Sequence, residues 1–365
     1  MDKETAQQYT TFLADTPSAS DMVVRLLDQA DVVMLGETSY ARQHAQFAAD
    51  LIPVLDVAGV HAMGYQYANA ADQAMIDDLV TASRFDEKLA RTILFNQMVI
   101  FGYQEHIEIF RAAWELNRSK SEDDTPFRII GLSTPPRYSE ITDQKDVEDP
   151  QVMRRVFESG VPDTLMAEVI AAKFLEAGVK AVAYVQVEHA YTGFYQPGYT
   201  SQMEEIGFAD QLRTGNLLYR DYGGRVVSAV LHGPVQDTRS RIGFGYPLGG
   251  IIEKAYLQLP EPRPTVGFRT EDAPFAAAQV VSNVLQNGQD PPLTLETYAD
   301  AYLIVEAVEN LEAVTPIADF VTNDNLDAAI RDFPGASPSD ATAEDLNEYM
   351  AGNAERMAGV IKEFK

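Results

Sequence analysis

The sequence predicts an α/β fold: a mostly parallel sheet flanked by helices, with helical insertions. Short apolar runs alternate with longer segments of helical periodicity along the 365 residues. A repeated strand–helix–strand order is typical of parallel sheets that are covered by helices on both faces. The composition is that of a folded chain, because 46% of the residues are hydrophobic and 23% are charged.

Seven apolar runs predict strands of this sheet. Runs of four to eight apolar residues bounded by polar or turn-forming residues are typical of strands buried on both faces. In chain order they are Ala30–Gly36, Val60–Tyr65, Phe127–Leu132, Lys180–Val187, Arg225–Leu231, Pro264–Phe268 and Ala301–Val305.

The segments between the strands carry apolar residues at helical spacing. Phe47, Leu51 and Leu55 mark one face of a helix over Ala41–Leu55. Ala70–Asn117 is predicted to be almost wholly helical, which places a helical insertion at about residues 70–120.

Two more helices are predicted further along the chain. Asp163 is expected to cap a helix that continues to Ala177, and Glu344–Glu363 has the pattern of a C-terminal helix. No repeat or long linker divides the residues before 326. We therefore expect residues 1–325 to form a single α/β domain, with the loop and helix of residues 326–365 packed on it.

The charge balance limits the partners. The chain has 55 Asp and Glu against 28 Lys and Arg, a net charge of −27, which repels nucleic acid and anionic membrane surfaces. The absence of cysteine excludes disulfides and thiol nucleophiles. No apolar run approaches the ~20 residues of a membrane span, and the N-terminus lacks a signal-peptide pattern. We expect a cytoplasmic protein whose partner is a small molecule.

Polar residues follow the predicted strands at the positions where parallel sheets bind ligands. Such ligands lie outside the carboxyl ends of the strands. Glu37 and His189 follow two of the strands, so we expect both at one edge of the sheet. The residues that follow strands in this way are Glu37, Gln66, Ser133, Arg137, Glu188, His189 and His232.

Each candidate also has a structural interpretation. Glu37 could cap the next helix, but Thr38 and Ser39 are better caps, which favours a site role for the glutamate. His189, beside Glu188, could be a general base, a ligand or a structural hydrogen-bond donor.

The remaining candidates are more ambiguous. Tyr191 could line an apolar pocket or pack a loop, and His44 could point towards Glu37 or into solvent. The Gly-Pro turn after His232 favours a structural role for that histidine. With five scattered histidines and no cysteine, we expect no transition-metal site.

Five segments resemble the superfamily of erythromycin esterases and ChaN-type haem-binding proteins. The resemblance extends roughly from Asp31 to Val321, and the order of the segments is more specific than any one of them. The segments are VVMLGETSYARQHAQFAADLIPVL, GVHAMGYQY, RIIGLSTPPR, AVAYVQVEHAY and DAYLIVEAVENLEAVTPIADFV.

The esterase branch implies a hydrolase that uses His and Glu, without a metal or other cofactor, to activate water against an ester or lactone. By this resemblance Glu37 matches the glutamate of the GE element, and His189 matches a late site histidine. Tyr40 and Gln66 stand where the esterase pattern has His and Glu, and His44 could replace the missing imidazole from one turn away.

Glu37, His189 and His44 are therefore the candidate catalytic residues. The candidate substrate-binding residues are Tyr40, Gln66, Arg137, Glu188 and Tyr191. The ChaN branch implies an alternative, a non-catalytic protein that binds haem or another small molecule. A tyrosine phenolate can ligate ferric haem, whereas a tyrosine with a pKa near ~10 is a poor base.

Overall fold

A seven-stranded sheet forms the centre of the molecule in a computed structural model that describes residues 3–195, 212–236, 243–280, 293–334 and 340–365. The strands of this sheet are β1 (Val32–Glu37), β2 (Ala62–Asn69), β3 (Arg128–Ser133), β4 (Ala181–Gln186), β5 (Val226–Leu231), β8 (Val266–Arg269) and β9 (Ala301–Ile304). Two short strands, β6 (Val235–Gln236) and β7 (Phe244–Gly245), form a separate antiparallel pair.

The strand order is β3-β2-β4-β1-β5-β9-β8, and every neighbouring pair is parallel except β8 and β9. Strand β1 lies between β4 and β5 at the centre of the sheet. In its register with β4, Glu37 lies opposite Gln186 at the carboxyl end of both strands. The predicted mostly parallel α/β fold is confirmed.

Helices flank the sheet and connect its strands. The helices are α1 (Lys3–Ala14), α2 (Ala19–Gln29), α3 (Arg42–Val57), α4 (Gln73–Thr81), α5 (Glu87–Gln97), α6 (Gln104–Ser119), α7 (Pro150–Val156), α8 (Pro162–Ile170), α9 (Val187–Ala190), α10 (Thr214–Tyr222), α11 (Ile251–Tyr256), α12 (Leu295–Tyr298), α13 (Leu326–Arg331) and α14 (Ala343–Lys362). Thr342 caps the last of these, because its hydroxyl accepts a hydrogen bond from the backbone N–H of Asp345.

The two faces of the sheet have separate cores. Val33 and Leu35 of β1 pack with α2 to α6 on what we call the first face. Val32 and Met34 alternate with them and pack with α8 and α10 on the second face. Side chains on a strand point alternately to opposite faces, so Glu37 belongs to the first face with Leu35.

A close approach fixes α9 against the end of β1. A Cβ atom added to Gly36 would lie 2.8 Å from the Cβ of Ala190, so glycine is needed there. The short helix α9 therefore lies directly against the second face of β1, one residue before Glu37.

The predicted strands differ from the observed ones by one or two residues at most ends, and two predictions differ by more. Strand β2 continues to Asn69, so Gln66 lies inside the strand and not after it. The helix expected to reach Ala177 ends at Ile170 and continues as one wider π-helical turn over Ala171–Leu175. Among the described residues, no helix has the length and apolar character needed to cross a membrane.

Candidate functional site

Glu37 ends the central strand and is only 2% exposed. The phenol hydroxyl of Tyr67 on β2 donates to its Oε1, and that of Tyr184 on β4 donates to its Oε2. No described lysine, arginine or histidine forms an ion pair with this carboxylate. A buried carboxylate without a cation is costly in its charged form, which makes it a candidate for proton transfer.

The surroundings of Glu37 move its pKa into the neutral range. Burial raises the pKa of Glu37 to about 7, against the lowering effect of the hydrogen bonds from Tyr184 and Tyr67. The negative charge of Glu188 on α9 adds to the rise. Glu37 can therefore exchange a proton near neutral pH, as a general acid or base must.

A second layer holds the tyrosines of the site. The hydroxyl of Tyr65 is 2.9 Å from Nδ1 of His106, and the ring of His106 lies 4.0 Å from that of Tyr67. Burial lowers the pKa of His106 to about 3, so its imidazole is neutral and accepts this hydrogen bond.

Aromatic rings extend from Glu37 towards Tyr40. The ring of Phe101 lies 5.0 Å from Tyr67 and 6.4 Å from Tyr40, and Tyr103 is 5.7 Å from Tyr40. We call Tyr40, Tyr67, Phe101 and Tyr103 the aromatic wall. Tyr40 has a φ of 67°, a left-handed conformation that is costly for tyrosine and is often found at functional sites.

His189 lies at the same sheet edge but binds a different partner. Its Nδ1 donates to Oδ1 of Asp163 at 2.6 Å, and Asp163 is on α8, on the second face. The side chain of Glu37 lies on the first face, and no hydrogen bond joins Glu37 to His189. The structure thus places both at one edge but on opposite faces.

Asp163 is buried among donors. It accepts hydrogen bonds from the backbone N–H of Thr214 at 2.8 Å, from the Thr214 hydroxyl and from Arg213, in addition to His189. Burial would raise the pKa of Asp163, but His189, Arg213 and the Thr214 N–H hold it well below its usual range. This carboxylate stays ionised and orients His189, leaving Nε2 without a hydrogen bond to any described residue.

His44 is bound to the backbone through both ring nitrogens. The N–H of Thr38 donates to its Nδ1 at 3.0 Å, and its Nε2 donates to the carbonyl of His232 at 3.1 Å. Burial lowers the pKa of His44 to about 4. The imidazole is held neutral in one tautomer, and proton transfer from Nε2 would break a buried hydrogen bond.

His232 has the structural environment that its Gly-Pro turn predicts. Its Nε2 is 2.6 Å from Glu253, and its Nδ1 is 2.9 Å from the hydroxyl of Tyr302. The histidine is fully buried, and Glu253 also accepts a hydrogen bond from the N–H of Val308. These contacts tie the end of β5 to α11 and β9.

The candidate substrate-binding residues do not converge. Oε1 of Gln66 accepts from the N–H of Gln186 at 2.7 Å, which ties β2 to β4. Arg137 is exposed and pairs with Glu158. Tyr191 is buried in another apolar cluster, where its hydroxyl donates to that of Tyr298 at 3.0 Å. Of this set, Glu188 raises the pKa of Glu37, and Glu37 contributes to the raised pKa of Tyr40.

Tyr67, Tyr184 and Asp163 are functional candidates that the sequence interpretation missed. Tyr184 lies on the predicted strand Lys180–Val187, whereas Tyr67 lies two residues beyond the predicted strand Val60–Tyr65. Period-two spacing could have placed Tyr67 on the same face as Tyr65 if that strand had been extended. Asp163 was predicted to cap a helix, but Val161 is the N-cap of α8 and Asp163 is the second residue of that helix. In the described ranges, no three His, Asp or Glu side chains are grouped so that they could hold a metal ion.

Solved structures share this fold. A succinoglycan biosynthesis protein aligns with 86% of this chain and 98% of its own, with a TM-score of 0.56 and 8% identity. A mutant of the erythromycin esterase EreC in its open conformation aligns with 83% of this chain and 95% of its own, at 0.50 and 12%. A Bacillus cereus protein aligns with 86% and 99%, also at 0.50 and 12%.

These comparisons establish the class of fold. The chain has an erythromycin esterase-like fold, as its sequence segments predict. No protein-family model and no curated protein matches the sequence. Identities this low carry the fold and not the activity, so the function is argued from the residues of the site.

Proposed function

We propose that this protein hydrolyses an ester or lactone of a small molecule, with Glu37 as the group that transfers the proton. The observation that carries this proposal is the buried Glu37 carboxyl at the carboxyl end of the central strand. It has two tyrosine donors, no described cation and a pKa of about 7. The erythromycin esterase among the structural neighbours supports the choice of ester or lactone chemistry.

The reaction follows from a carboxylate that can gain and lose one proton. Ionised Glu37 takes a proton from water while the water oxygen attacks the carbonyl carbon. When the tetrahedral intermediate collapses, the C–O bond to the leaving alkoxide breaks, and protonated Glu37 returns the proton to that alkoxide. The products are an acid and an alcohol, and Glu37 is ionised again.

The neighbours of Glu37 have distinct parts in this scheme. Tyr67 and Tyr184 orient its two oxygens and remain neutral donors, because burial and Glu37 raise both of their pKa values well above the usual range. Each carboxylate oxygen keeps a second lone pair for water. The negative charge of Glu188 raises the pKa of Glu37, so ionised Glu37 is a stronger base towards water and holds the proton until the alkoxide leaves.

His189 is the second candidate base. Asp163 orients its imidazole, which is the arrangement of a histidine base and its carboxylate partner. His189 lies on the second face and forms no hydrogen bond with Glu37, so the two residues would act independently as bases. Substitution of each residue alone therefore distinguishes the two.

The test is a panel of small esters and lactones assayed with the wild type, Glu37→Gln, His189→Gln and the surface control Glu158→Gln. We expect Glu37→Gln to lower kcat by ~10²–10⁴-fold and Glu158→Gln to leave it unchanged. Wild-type activity should rise with pH through about 7, as Glu37 ionises.

Three results would contradict the proposal. Full activity of Glu37→Gln removes Glu37 from the mechanism, and loss of activity only in His189→Gln makes His189 the base. A Soret band on titration with haemin, without turnover of any ester, supports haem binding instead. Tyr40 is a poor phenolate ligand for haem, since burial raises its pKa to about 12.

A further inference from the structure

His106 is a buried histidine that takes no part in the proposed proton transfer but contacts two tyrosines beside Glu37. It lies in the first turn of α6 and is only 4% exposed. The hydroxyl of Tyr65 is 2.9 Å from its Nδ1, and its ring centroid lies 4.0 Å from that of Tyr67, with 33° between the ring planes. One imidazole therefore contacts the hydroxyl of one tyrosine and the ring of another.

Tyr65 in turn packs against both phenols that bind Glu37. Its ring centroid is 5.6 Å from that of Tyr67 and 6.2 Å from that of Tyr184, on which it stacks. Tyr67 donates to Oε1 of Glu37, and Tyr184 donates to Oε2. A displacement of the Tyr65 ring would therefore disturb both donors of the carboxylate.

The hydroxyl of Tyr65 depends on His106 for its acceptor. Tyr65 is fully buried, and a buried hydroxyl without an acceptor is costly. Besides Nδ1, its hydroxyl has the backbone carbonyl of His106 at 3.4 Å, which is too long for a strong hydrogen bond. Burial also lowers the pKa of His106 to about 3, so the ring packs on Tyr67 without adding a positive charge near Glu37.

We propose that His106 is a positioning residue: through Tyr65 and Tyr67 it holds the phenol donors on the two oxygens of Glu37. No hydrogen bond joins His106 to Glu37, so the two tyrosines transmit its effect. A displaced phenol would leave a buried carboxylate with fewer donors, which disfavours its ionised form. This proposal rests on the proposed function, since it concerns the same carboxylate.

The ionisation of Glu37 reports on these donors directly. Hydrogen bonds from Tyr184 and Tyr67 lower the pKa of Glu37, whereas burial raises it. Loss of either hydrogen bond should therefore move the midpoint of the ionisation to higher pH. Among the described residues, the ionisable groups that interact with Glu37 are Tyr65 and Tyr67 on β2, Tyr184 on β4, Glu188 on α9 and Tyr40 before α3.

The direct test follows the Glu37 carboxyl by carbon-13 NMR, with its signal assigned from its absence in Glu37→Gln. His106→Phe keeps a ring against Tyr67 but removes the acceptor of Tyr65. We expect its Glu37 midpoint to lie about one pH unit above that of the wild type, because the phenol donors are less well held. His106→Asn places an oxygen where Nδ1 was, so its midpoint should lie between those of the wild type and His106→Phe.

Turnover provides a second measurement. On an ester that the wild type hydrolyses, His106→Phe should lower kcat at pH 7 by roughly fivefold, since about one-eleventh of Glu37 is then ionised instead of half. KM should stay unchanged. Most of the activity should return at about pH 9, a recovery that a general loss of structure would not give.

Phe268→Leu is the control for lost core packing. Phe268 is 2% exposed on the edge strand β8, in a different apolar cluster, so its substitution should leave the Glu37 midpoint unchanged. An unchanged midpoint in His106→Phe, or an equal shift in Phe268→Leu, would overturn the proposal. If His106→Phe does not fold, the same criterion applies to His106→Asn. If the midpoint shifts but no ester is hydrolysed, the hydrolase proposal fails alone.

Discussion

Glu37 and Asp163 are equally buried carboxylates at one sheet edge, and their protonation is shifted in opposite directions. Glu37 is 2% exposed and Asp163 is 1% exposed. Burial raises the pKa of Glu37 to about 7, whereas the pKa of Asp163 is held well below its usual range in spite of burial. The two side chains differ in their donors and not in their depth.

The difference shows which kind of hydrogen bond compensates a buried charge. Glu37 accepts hydrogen bonds from two neutral phenols, and the nearby charge of Glu188 is negative. Asp163 has a guanidinium, an imidazole and a backbone N–H at a helix N-terminus. Hydrogen bonds from ionised donors stabilise a carboxylate more than neutral ones. The carboxylate on the first face is therefore suited to proton transfer, whereas the one on the second face stays ionised and orients His189.

The largest effect on stability is expected from Asp163→Asn. This change keeps the size of the side chain but removes the charge that Arg213 and His189 contact, so it should lower the free energy of unfolding by about 3–5 kcal/mol. Urea unfolding followed by circular dichroism measures the loss. Glu158→Gln, which breaks an exposed ion pair with Arg137, should cost less than about 1 kcal/mol.

Equal losses in these two variants would show that the Asp163 contacts contribute no more than a surface pair. In that case the low pKa of Asp163 would have no structural consequence. A normal far-ultraviolet spectrum of Asp163→Asn before unfolding is the control that both variants start from the same fold.

The next effect concerns the pH dependence of stability. The pKa of Glu37 is about 7 in the folded protein against 4.5 for a free side chain, so the folded state binds the proton more tightly. Stability is then lost as pH rises from about 4.5 through 7, by about 3 kcal/mol for this shift. Glu37→Gln cannot titrate and lacks this slope.

Unfolding free energies of the wild type and Glu37→Gln at several pH values test this point. Relative to the wild type, Glu37→Gln should become more stable by about 3 kcal/mol between pH 4.5 and pH 8. Asp163 has the opposite sign, since its stabilisation is present above its unfolded pKa and is lost only in acid. A constant difference between the two proteins across this range would mean that Glu37 is ionised at all these pH values.

The smallest effect is that of salt. A net charge of −27 implies repulsion between exposed carboxylates, which ions screen over ~8 Å at physiological ionic strength. We expect the melting temperature to rise by a few degrees, on the order of 1 kcal/mol, from low to molar NaCl. The stability difference between Glu37→Gln and the wild type should change little, because buried groups are screened less. A melting temperature that falls with salt would be inconsistent with surface repulsion.

Much of the fold could be predicted because its signals are local. The run VVMLGE has apolar residues on both faces, and all six residues of β1 are buried. The predicted strand Arg225–Leu231 and the helix Glu344–Glu363 differ from β5 and α14 by one residue at most at either end. The pairing of β8 and β9 in the antiparallel sense depends on contacts between distant segments, which no local pattern encodes.

The site was less predictable, because its contacts also join segments that are distant in the sequence. Glu37 was identified from its position after a strand, but the tyrosines that bind it come from β2 and β4, 30 and 147 residues away. Strand periodicity predicts the face of His189 only if β4 continues through that residue. Instead a short helix begins directly after β4, and the side chain of His189 turns towards Asp163 on α8.

The packing of helix α9 on Gly36 of β1 affects the residues on both faces of this sheet edge. Because a Cβ atom there would collide with Ala190, helix α9 rests on the backbone of β1 without an intervening side chain. Glu188 and His189 belong to that helix, and Glu37 is the next residue of that strand. Any larger residue at position 36 would displace α9 and so change the field at Glu37 and the aim of His189 together. The two faces therefore cannot vary independently in sequence: one backbone contact sets the geometry of both.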